Sequence, residues 1–320
     1  MPVTDALLVS DTVWTHLGAE ITRIAPGLEV ILYEGTEPLD DAALSRVTLA
    51  FFSADTWPDR SRGIVLSILK APNLRWLQTF SAGVDSPFFI DLMNRGVRLS
   101  TASGATASPI AQTVVMYMLA LSRDLRGWMR AQDAREWTRH TFDELDGSSL
   151  AVVGMGPIGL EIARLGAALG MSVEGVRRTP TGDEPCPTFP MEDLDAVLSR
   201  ARWIACALPL TDDTRGLFDA RRFALMPAGA RFMNVGRGEL VDEDALVAAL
   251  ASGHLAGAGL DVFAVEPLPE PSPLWSMDNV IITPHNSGTS TSTAGRSMAI
   301  FLENLAHWVA DEPLVNEVRP

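Results

Sequence analysis

Short apolar runs alternate with amphipathic stretches along roughly the first hundred residues of the chain. Four of these runs have the length of a buried strand: ALLVS, LEVILY, VTLAFFS and LRWLQTF. Segments between them, such as residues 11–25 and 61–70, predict helices. This alternation is typical of a parallel sheet covered by helices. It is interrupted at residues 105–140, which predict a long helical stretch rich in methionine and tryptophan.

A second alternation of strands and helices begins at Ser148. SLAVVG predicts a strand, and residues 157–169 predict a helix because their isoleucines and leucines recur on one helical face. Asp242 predicts the N-cap of a helix that reaches about Ser252, and residues 289–311 predict the last helix. Further strands are predicted for MSVEGV, RWIACAL, ARFMNV, AGAGLDV and NVIIT. The expected fold class is therefore α/β, with two doubly wound parallel-sheet domains.

The composition fits a folded globular protein with an acidic surface. The chain has 320 residues, enough for one large or two ordinary domains, and 47% of them are hydrophobic. Its 40 acidic and 25 basic residues give a formal net charge of −15. Such a surface repels nucleic-acid phosphates and anionic lipid, so neither a nucleic acid nor a membrane is an expected partner. An anionic substrate would need cations placed locally.

Single residue types argue against several kinds of site. Lys70 is the only lysine, which excludes a Schiff-base lysine elsewhere and a Gly-Lys-Ser/Thr phosphate loop. Cys186 and Cys206 lack metal-ligand spacing, so no metal site is expected. The start of the chain, MPVTDALLVSD, has no signal-peptide pattern, and the apolar residues 110–121 are too few to span a bilayer. A cytoplasmic protein is therefore expected.

A glycine-rich turn follows the strand predicted at SLAVVG and opens an amphipathic helix. This is the setting that a dinucleotide-binding G-x-G-x-x-G motif requires. The first glycine permits the tight turn, the second lets the backbone approach a pyrophosphate, and the third lets helix and strand pack closely. The predicted cofactor-binding turn consists of Gly154, Met155, Gly156, Pro157, Ile158 and Gly159. Three glycines at such a turn are also compatible with a purely structural role.

Two arginines stand where many such proteins carry an acidic residue that binds the ribose hydroxyls. Arg177 ends the second strand of this half, and Arg178 and Thr179 follow it. A carboxylate there would repel a 2′-phosphate, whereas guanidinium groups pair with phosphate through charge-assisted, often bidentate hydrogen bonds. We therefore predict that these three residues bind NADP(H) in preference to NAD(H), with NAD(H) still possible. The alternative is that both arginines are solvated loop side chains.

Three further predicted strands end in polar residues. FMNVGRGELVD carries Arg237, GAGLDVFAVEP carries Asp261 and Glu266, and VIITPHNSG carries His285. Because ligands of an open parallel sheet bind beyond the carboxyl ends of its strands, Arg237, Glu266 and His285 are expected to converge. This set suits reduction of a 2-keto acid. Histidine can protonate the oxygen after hydride attack, a carboxylate can orient the imidazole, and arginine can hold the substrate carboxylate.

The order and spacing of four segments resemble the D-isomer-specific 2-hydroxyacid dehydrogenase family. These segments are LPLTDDTRGLFD, MNVGRGELVDEDAL, LDVFAVEPLPEPSPLW and NVIITPH, and the resemblance extends over nearly the whole chain. It implies that Arg237 binds the substrate carboxylate and carbonyl oxygens. It further implies that His285 is the catalytic acid/base and Glu266 its partner.

The resemblance also implies binding residues outside this catalytic set. Backbone N–H groups of a loop in the first domain would bind the substrate carboxylate, and this loop contains Ser81, Ala82 and Gly83. Asp261 would hold the nicotinamide carboxamide. Further cofactor contacts are implied for Leu208, Pro209, Thr214, Val235, Gly236 and Gly288. The residues that depart from those common in the family, and that leave the shape of the substrate pocket open, are Ser81, Gln112, Asn286 and Ser287.

The architecture implied by the resemblance is a Rossmann cofactor domain inserted into a flavodoxin-like substrate domain. The substrate domain is expected at residues 1–100 and 290–320. The dinucleotide-binding domain is expected at residues 101–289 and includes a dimer arm at 105–140. Apolar side chains of this arm that a partner subunit could cover are Trp128, Met129 and Trp137. A homodimer is therefore expected, and packing of these side chains within one chain is the alternative.

The function expected from these features is reduction of a small 2-keto acid to the D-2-hydroxy acid by an NADP(H)-preferring oxidoreductase. Glyoxylate, hydroxypyruvate or a bulkier keto acid would fit the chemistry. An NAD(P)H-sensing, corepressor-like binding protein on the same fold is the alternative, because a fold alone does not fix a function. Formate and phosphite dehydrogenases also resemble this family, but the formate enzymes generally carry glutamine at the position of Glu266.

Overall fold

The computed structural model describes residues 5–318, so the first four and the last two residues of the predicted substrate domain lie outside it. The described chain divides into two compact units. The first unit contains the residues up to Thr106 together with those from Ser290 onward, and the second contains Ala107–Thr289.

The first unit is built on a five-stranded parallel sheet in the order β2-β1-β3-β4-β5. Its strands are β1 (Ala6–Ser10), β2 (Glu29–Tyr33), β3 (Leu49–Phe52), β4 (Trp76–Thr79) and β5 (Arg98–Ser100). Its helices are α1 (Asp11–Ile24), α2 (Asp41–Leu44), α3 (Ser61–Lys70), α4 (Pro87–Asn94) and the last helix, α11 (Thr293–Val309). Phe301 of α11 stacks on Phe51 of β3 with ring centroids 4.4 Å apart, which fixes α11 on one face of the sheet.

The second unit is built on a seven-stranded parallel sheet in the order β12-β11-β10-β9-β6-β7-β8. Its strands are β6 (Ser149–Val153), β7 (Ser172–Val176), β8 (Thr188–Phe189), β9 (Trp203–Cys206), β10 (Ala230–Asn234), β11 (Leu255–Leu260) and β12 (Val280–Ile282). Its helices are α5 (Ala107–Ser122), α6 (Leu125–Ala134), α7 (Pro157–Ala168), α8 (Leu194–Leu198), α9 (Ala220–Leu225) and α10 (Glu243–Ala251). The chain passes from β6 to β7 on one side and later to β9 on the other. The sheet therefore has its topological switch point beside β6, where ligands of such sheets bind.

The two parallel sheets confirm the predicted fold class. The helical stretch predicted at 105–140 needs correction, because α5 and α6 are separate helices and no helix continues beyond Ala134. The break falls at Asp124, whose backbone is left-handed with φ 49° and whose carboxylate caps α6. Asp242 caps α10 as expected, accepting a hydrogen bond from the backbone N–H of Ala245.

Within residues 5–318, the structure contains no helix long and apolar enough to cross a membrane.

Candidate active site

The glycine turn connects β6 to α7 and keeps backbone atoms unusually close together. Gly154 has φ 104°, and a Cβ atom there would lie 2.7 Å from the carbonyl carbon of Ala207. A Cβ atom on Gly159 would lie 1.8 Å from the carbonyl oxygen of Gly154. A Cβ atom on Gly156 would meet no described atom within 4 Å. Gly154 and Gly159 are therefore required by packing, whereas Gly156 faces open space at the N-terminus of α7.

A cavity of about 930 Å³ lies beside this turn. Most of the predicted cofactor residues line it, namely Gly154, Met155, Gly156, Arg177, Arg178, Thr179, Leu208, Pro209 and Thr214. Thr214 fixes part of the wall, since its hydroxyl donates to the carbonyl oxygen of Pro209 at 2.8 Å and accepts from the N–H of Thr211 at 2.8 Å. Glu192 and Arg222 also line the cavity and were not predicted. The cavity therefore lies at the switch point of the sheet.

Arg177 and Arg178 differ in their surroundings although they are neighbours. Nη1 of Arg177 lies 2.9 Å from Oε1 of Glu184, whose side chain is only 3% exposed. Glu184 also accepts hydrogen bonds from the backbone and hydroxyl of Thr181 and from the N–H of Gly182. These contacts, led by the Thr181 backbone N–H, lower the pKa of Glu184 to about 2. Arg178 is exposed on the cavity rim.

His285 and Glu266 are brought together by neighbouring strands. Glu266 follows β11 and His285 follows β12, and Nδ1 of His285 lies 2.7 Å from Oε2 of Glu266. The other carboxylate oxygen of Glu266 accepts from the N–H of Phe263 at 3.0 Å. The carboxylate is therefore held on both oxygens. Nε2 is the imidazole nitrogen opposite the atom that Glu266 contacts, and a histidine held in this way can transfer a proton there.

Arg237 lies at the end of β10, the other neighbour of β11. Its Nη1 donates to the carbonyl oxygen of Gly236 at 2.8 Å, and Nδ2 of Asn234 donates to the carbonyl oxygen of Arg237 at 2.8 Å. A Cβ atom on Gly238 would lie 1.9 Å from the carbonyl carbon of Phe263. This close approach packs the segment after Arg237 against the loop that leads to Glu266.

Asp261 lies at the end of β11 and is 1% exposed. Its oxygen Oδ1 accepts hydrogen bonds from the hydroxyl of Thr283 at 2.5 Å and from the N–H of Asn286 at 3.1 Å. Its oxygen Oδ2 accepts from the N–H of Ser287 at 3.1 Å and from the Ser287 hydroxyl. The carboxylate thus binds both sides of the loop that carries His285. The nicotinamide contact implied by the resemblance stays a prediction.

The remaining predicted residues lie in four places. Pro157 and Ile158 form the first turn of α7, and Gly288 follows the loop bound by Asp261. Val235 and Gly236 follow β10, where the N–H of Gly236 donates to Oδ1 of Asn234 at 3.0 Å. In the first unit, the loop of Ser81, Ala82 and Gly83 joins β4 to α4, and the Ser81 hydroxyl donates to the Gly83 carbonyl oxygen at 3.0 Å.

Two sets of polar contacts that organise the second unit were not predicted from the sequence. Glu184 was missed because its contact with Arg177 depends on a loop that folds back on itself. Tyr117, whose hydroxyl contacts Thr283, was missed because α5 and the end of β12 are distant in the chain. The departure at Ser287 was a usable signal, since a hydroxyl there has a buried carboxylate as its partner.

Comparison with known proteins fixes the family. The family model described as "D-isomer specific 2-hydroxyacid dehydrogenase, NAD binding domain" matches residues 115–287. A glyoxylate/hydroxypyruvate reductase B from Citrobacter koseri is 35% identical over 280 residues, which cover 85% of this chain and 86% of that protein. The chain belongs to the D-isomer specific 2-hydroxyacid dehydrogenase family.

Solved structures of other members of the dehydrogenase family share the whole fold. One from Xanthobacter autotrophicus, in complex with NADPH and MES, is 32% identical with a TM-score of 0.81, over 99% of this chain and 98% of that chain. An NADPH-dependent glyoxylate/hydroxypyruvate reductase from Sinorhizobium meliloti, in complex with NADP and sulfate, is 28% identical with a TM-score of 0.78, over 98% of both chains. This member of the family is therefore an NAD(P)-dependent oxidoreductase.

Proposed function

We propose that this dehydrogenase reduces a small 2-keto acid to the D-2-hydroxy acid and prefers NADPH to NADH. The observation that carries the proposal is the His285–Glu266 pair, with 2.7 Å between Nδ1 and Oε2. These two residues and the glycine turn all follow strands of one parallel sheet. The relatives named glyoxylate/hydroxypyruvate reductase support glyoxylate and hydroxypyruvate as the first substrates to test.

Each proposed catalytic residue has one task. Arg237 binds the substrate carboxylate and polarises the carbonyl. When bound, NADPH supplies the hydride that reaches C2. His285 then donates the proton on Nε2 to the carbonyl oxygen. Glu266 holds the imidazole through Nδ1, and the Phe263 N–H in turn holds Glu266.

The residues of the second unit fit a dinucleotide. The space beside Gly156 leaves room for a pyrophosphate at the N-terminus of α7, where backbone N–H groups and the helix dipole favour anions. Arg178 on the cavity rim supplies an exposed guanidinium for a 2′-phosphate. We assign cofactor binding to residues 101–289 and the substrate domain to residues 1–100 and 290–320.

A substrate panel tests the proposed function. Purified enzyme is mixed with NADPH or NADH and with glyoxylate, hydroxypyruvate or a bulkier 2-keto acid, and cofactor oxidation is followed by absorbance. We expect turnover with NADPH that falls by on the order of 10²-fold or more in His285→Gln. The matched control is His16→Gln, an exposed histidine on α1. Absence of turnover with every keto acid, together with cofactor-dependent capture of a protein partner, would favour the corepressor-like alternative.

We also propose a homodimer formed through the arm at 105–140. Six large apolar side chains of this arm are exposed in the single chain: Met116, Leu119, Leu125, Trp128, Met129 and Trp137. Trp137 is 90% exposed, and a partner subunit would remove this apolar surface from water. Light scattering behind size exclusion should give twice the chain mass for the wild type and a lower mass for Trp128→Glu/Trp137→Glu. A monomeric wild type would contradict this assignment.

A further inference from the structure

Tyr117 of α5 reaches the loop that carries His285. Its side chain is fully buried, and its hydroxyl lies within hydrogen-bonding distance of Oγ1 of Thr283, at the end of β12. Both residues belong to the second unit. A buried tyrosine hydroxyl usually has a hydrogen-bond partner, but this partner lies two residues before the proposed catalytic acid.

The ring of Tyr117 packs against β11 in the space that a side chain at Gly259 would occupy. A Cβ atom on Gly259 would lie 2.4 Å from Cγ of Tyr117. No other residue type fits that position without displacing the ring. Gly259 lies on β11, two residues before Asp261, so the position of Tyr117 is fixed relative to the carboxylate that binds the loop.

The hydrogen bonds run in one direction from Tyr117 to Asp261. The hydroxyl of Thr283 donates its single proton to Oδ1 of Asp261 at 2.5 Å, so it must accept the proton that Tyr117 offers. Burial raises the pKa of Tyr117, which keeps the phenol protonated and able to donate at working pH. Tyr117 thus completes the hydrogen bonds of the Thr283 hydroxyl.

Asp261, the last member of this series of hydrogen bonds, determines where the backbone of the His285 loop lies. Its carboxylate accepts from the N–H groups of Asn286 and Ser287, and its carbonyl oxygen accepts from the N–H of His285 at 2.8 Å. His285 itself has φ 49°, a left-handed backbone conformation that is strained for a residue other than glycine. The loop keeps this conformation because the surrounding hydrogen bonds determine it.

We propose that Tyr117 is a positioning residue for His285, acting through Thr283 and Asp261. The inference rests on the proposed function in one respect: it takes His285 to be the catalytic acid. The hydroxyl of Tyr117 orients Thr283, which with Asp261 holds the His285 loop so that Nδ1 meets Glu266.

Kinetics of Tyr117→Phe test the inference, because this change removes one oxygen and leaves the ring in the space beside Gly259. We expect kcat to fall by about five- to tenfold, the effect of one buried hydrogen bond, while KM for NADPH stays within about twofold. Tyr33→Phe is the matched control. Tyr33 is the only other tyrosine, is equally buried in the first unit, and donates to the Arg60 carbonyl oxygen. A kcat for Tyr117→Phe within about twofold of wild type would overturn the proposal.

A second pair of variants separates positioning from general loss of structure. Thr283→Val removes the hydroxyl that links Tyr117 to Asp261 by hydrogen bonds, and Thr283→Ser keeps a hydroxyl at this position. We expect Thr283→Val to lower kcat, expressed per NADPH-binding site, and Thr283→Ser to retain most of the wild-type kcat. Equal loss in both variants would overturn the inference. This pair also carries the test if Tyr117→Phe fails to fold.

A measurement without turnover keeps this inference distinct from the proposed function. The chain has five histidines, so the ring signals in an ¹⁵N-histidine spectrum can be assigned with His285→Gln. We expect Tyr117→Phe and Thr283→Val to move the His285 signal and leave the other four in place. An unmoved His285 signal overturns the positioning role even if the enzyme is active. If the wild type reduces no keto acid, the proposed function fails while a shifted His285 signal still supports the positioning role.

Discussion

Glu184 accepts a hydrogen bond from Arg177 inside the loop that follows β7, with 2.9 Å between Oε1 and Nη1. Arg177, one of the two arginines predicted to bind the 2′-phosphate of the cofactor, is therefore already paired within the protein. Arg178, which is exposed on the cavity rim, keeps its guanidinium available at the surface. We therefore propose distinct tasks for the two arginines: Arg177 orders the loop through Glu184, and Arg178 binds the 2′-phosphate.

Arg178→Ala should therefore remove most of the cofactor preference. We expect the wild type to favour NADPH over NADH by at least about tenfold in kcat/KM, or about 1.4 kcal/mol. In the variant, kcat/KM for NADPH should fall while the value for NADH changes little. Arg164→Ala, which removes an exposed arginine paired with Glu161 on α7, is the control. Equal kcat/KM values for the two cofactors in the wild type would show that Arg178 is a solvated side chain that does not bind a 2′-phosphate.

The Glu184 contacts predict a stability difference that depends on pH. The Thr181 and Gly182 N–H groups and Arg177 lower the pKa of Glu184 to about 2, from an ordinary value of 4.5. A lowered folded-state pKa stabilises the protein above the unfolded-state pKa, and this contribution is lost as pH falls from about 4.5 towards 2. Urea unfolding should show Glu184→Gln less stable than wild type at pH 7, with a smaller gap at pH 3.5. A gap that stays constant, or that matches the exposed control Glu144→Gln, would contradict this account.

The glycine turn predicts opposite outcomes for two alanine variants. Gly156→Ala places a Cβ atom in open space, so we expect a stability loss below about 1 kcal/mol and NADPH binding weakened by at least about tenfold. Gly159→Ala forces a Cβ atom into the Gly154 carbonyl oxygen and should cost about 1–3 kcal/mol or more. Urea unfolding and fluorescence titration with NADPH check both. Undiminished NADPH binding by Gly156→Ala would show that the turn does not hold the pyrophosphate.

Glu266→Gln should lower kcat by on the order of 10²-fold with little change in KM for NADPH. The amide oxygen can still accept from the Phe263 N–H, but the amide group cannot act as an anionic acceptor for the Nδ1 proton of His285. The control is Glu270→Gln, an exposed carboxylate in the same loop. If both variants retained wild-type kcat, Glu266 would have no part in proton transfer.

Much of this fold could be predicted from the sequence because buried parallel strands read as apolar runs. The runs around β1 and β6 coincide with strands to within a residue or two. β5 escaped prediction because three residues, Arg98–Ser100, give too short and too polar a run. β8 has only two residues, Thr188–Phe189, and escaped for the same reason. The break between α5 and α6 depends on the left-handed backbone of Asp124, which no apolar pattern encodes.

The candidate site was predictable as far as strand ends determine it. Glu266 and His285 follow adjacent strands, so their meeting could be expected from the sheet alone. The pairing of Arg177 with Glu184 depends on the path of a loop. The series of hydrogen bonds from Tyr117 through Thr283 to Asp261 depends on which face of α5 packs on β11. Neither can be read from one sequence, because the contacting residues share no period and no motif.

The most direct test of the central claim is to follow the hydride itself. The enzyme is given hydroxypyruvate, whose reduction creates a stereocentre at C2, and NADPH deuterated at C4, with each face of the nicotinamide labelled in turn. The account predicts that one of the two labels appears at C2 of a D-2-hydroxy acid, and that His285→Gln makes the same labelled product far more slowly. An L-2-hydroxy acid, or a product without deuterium at C2 from either label, would contradict it.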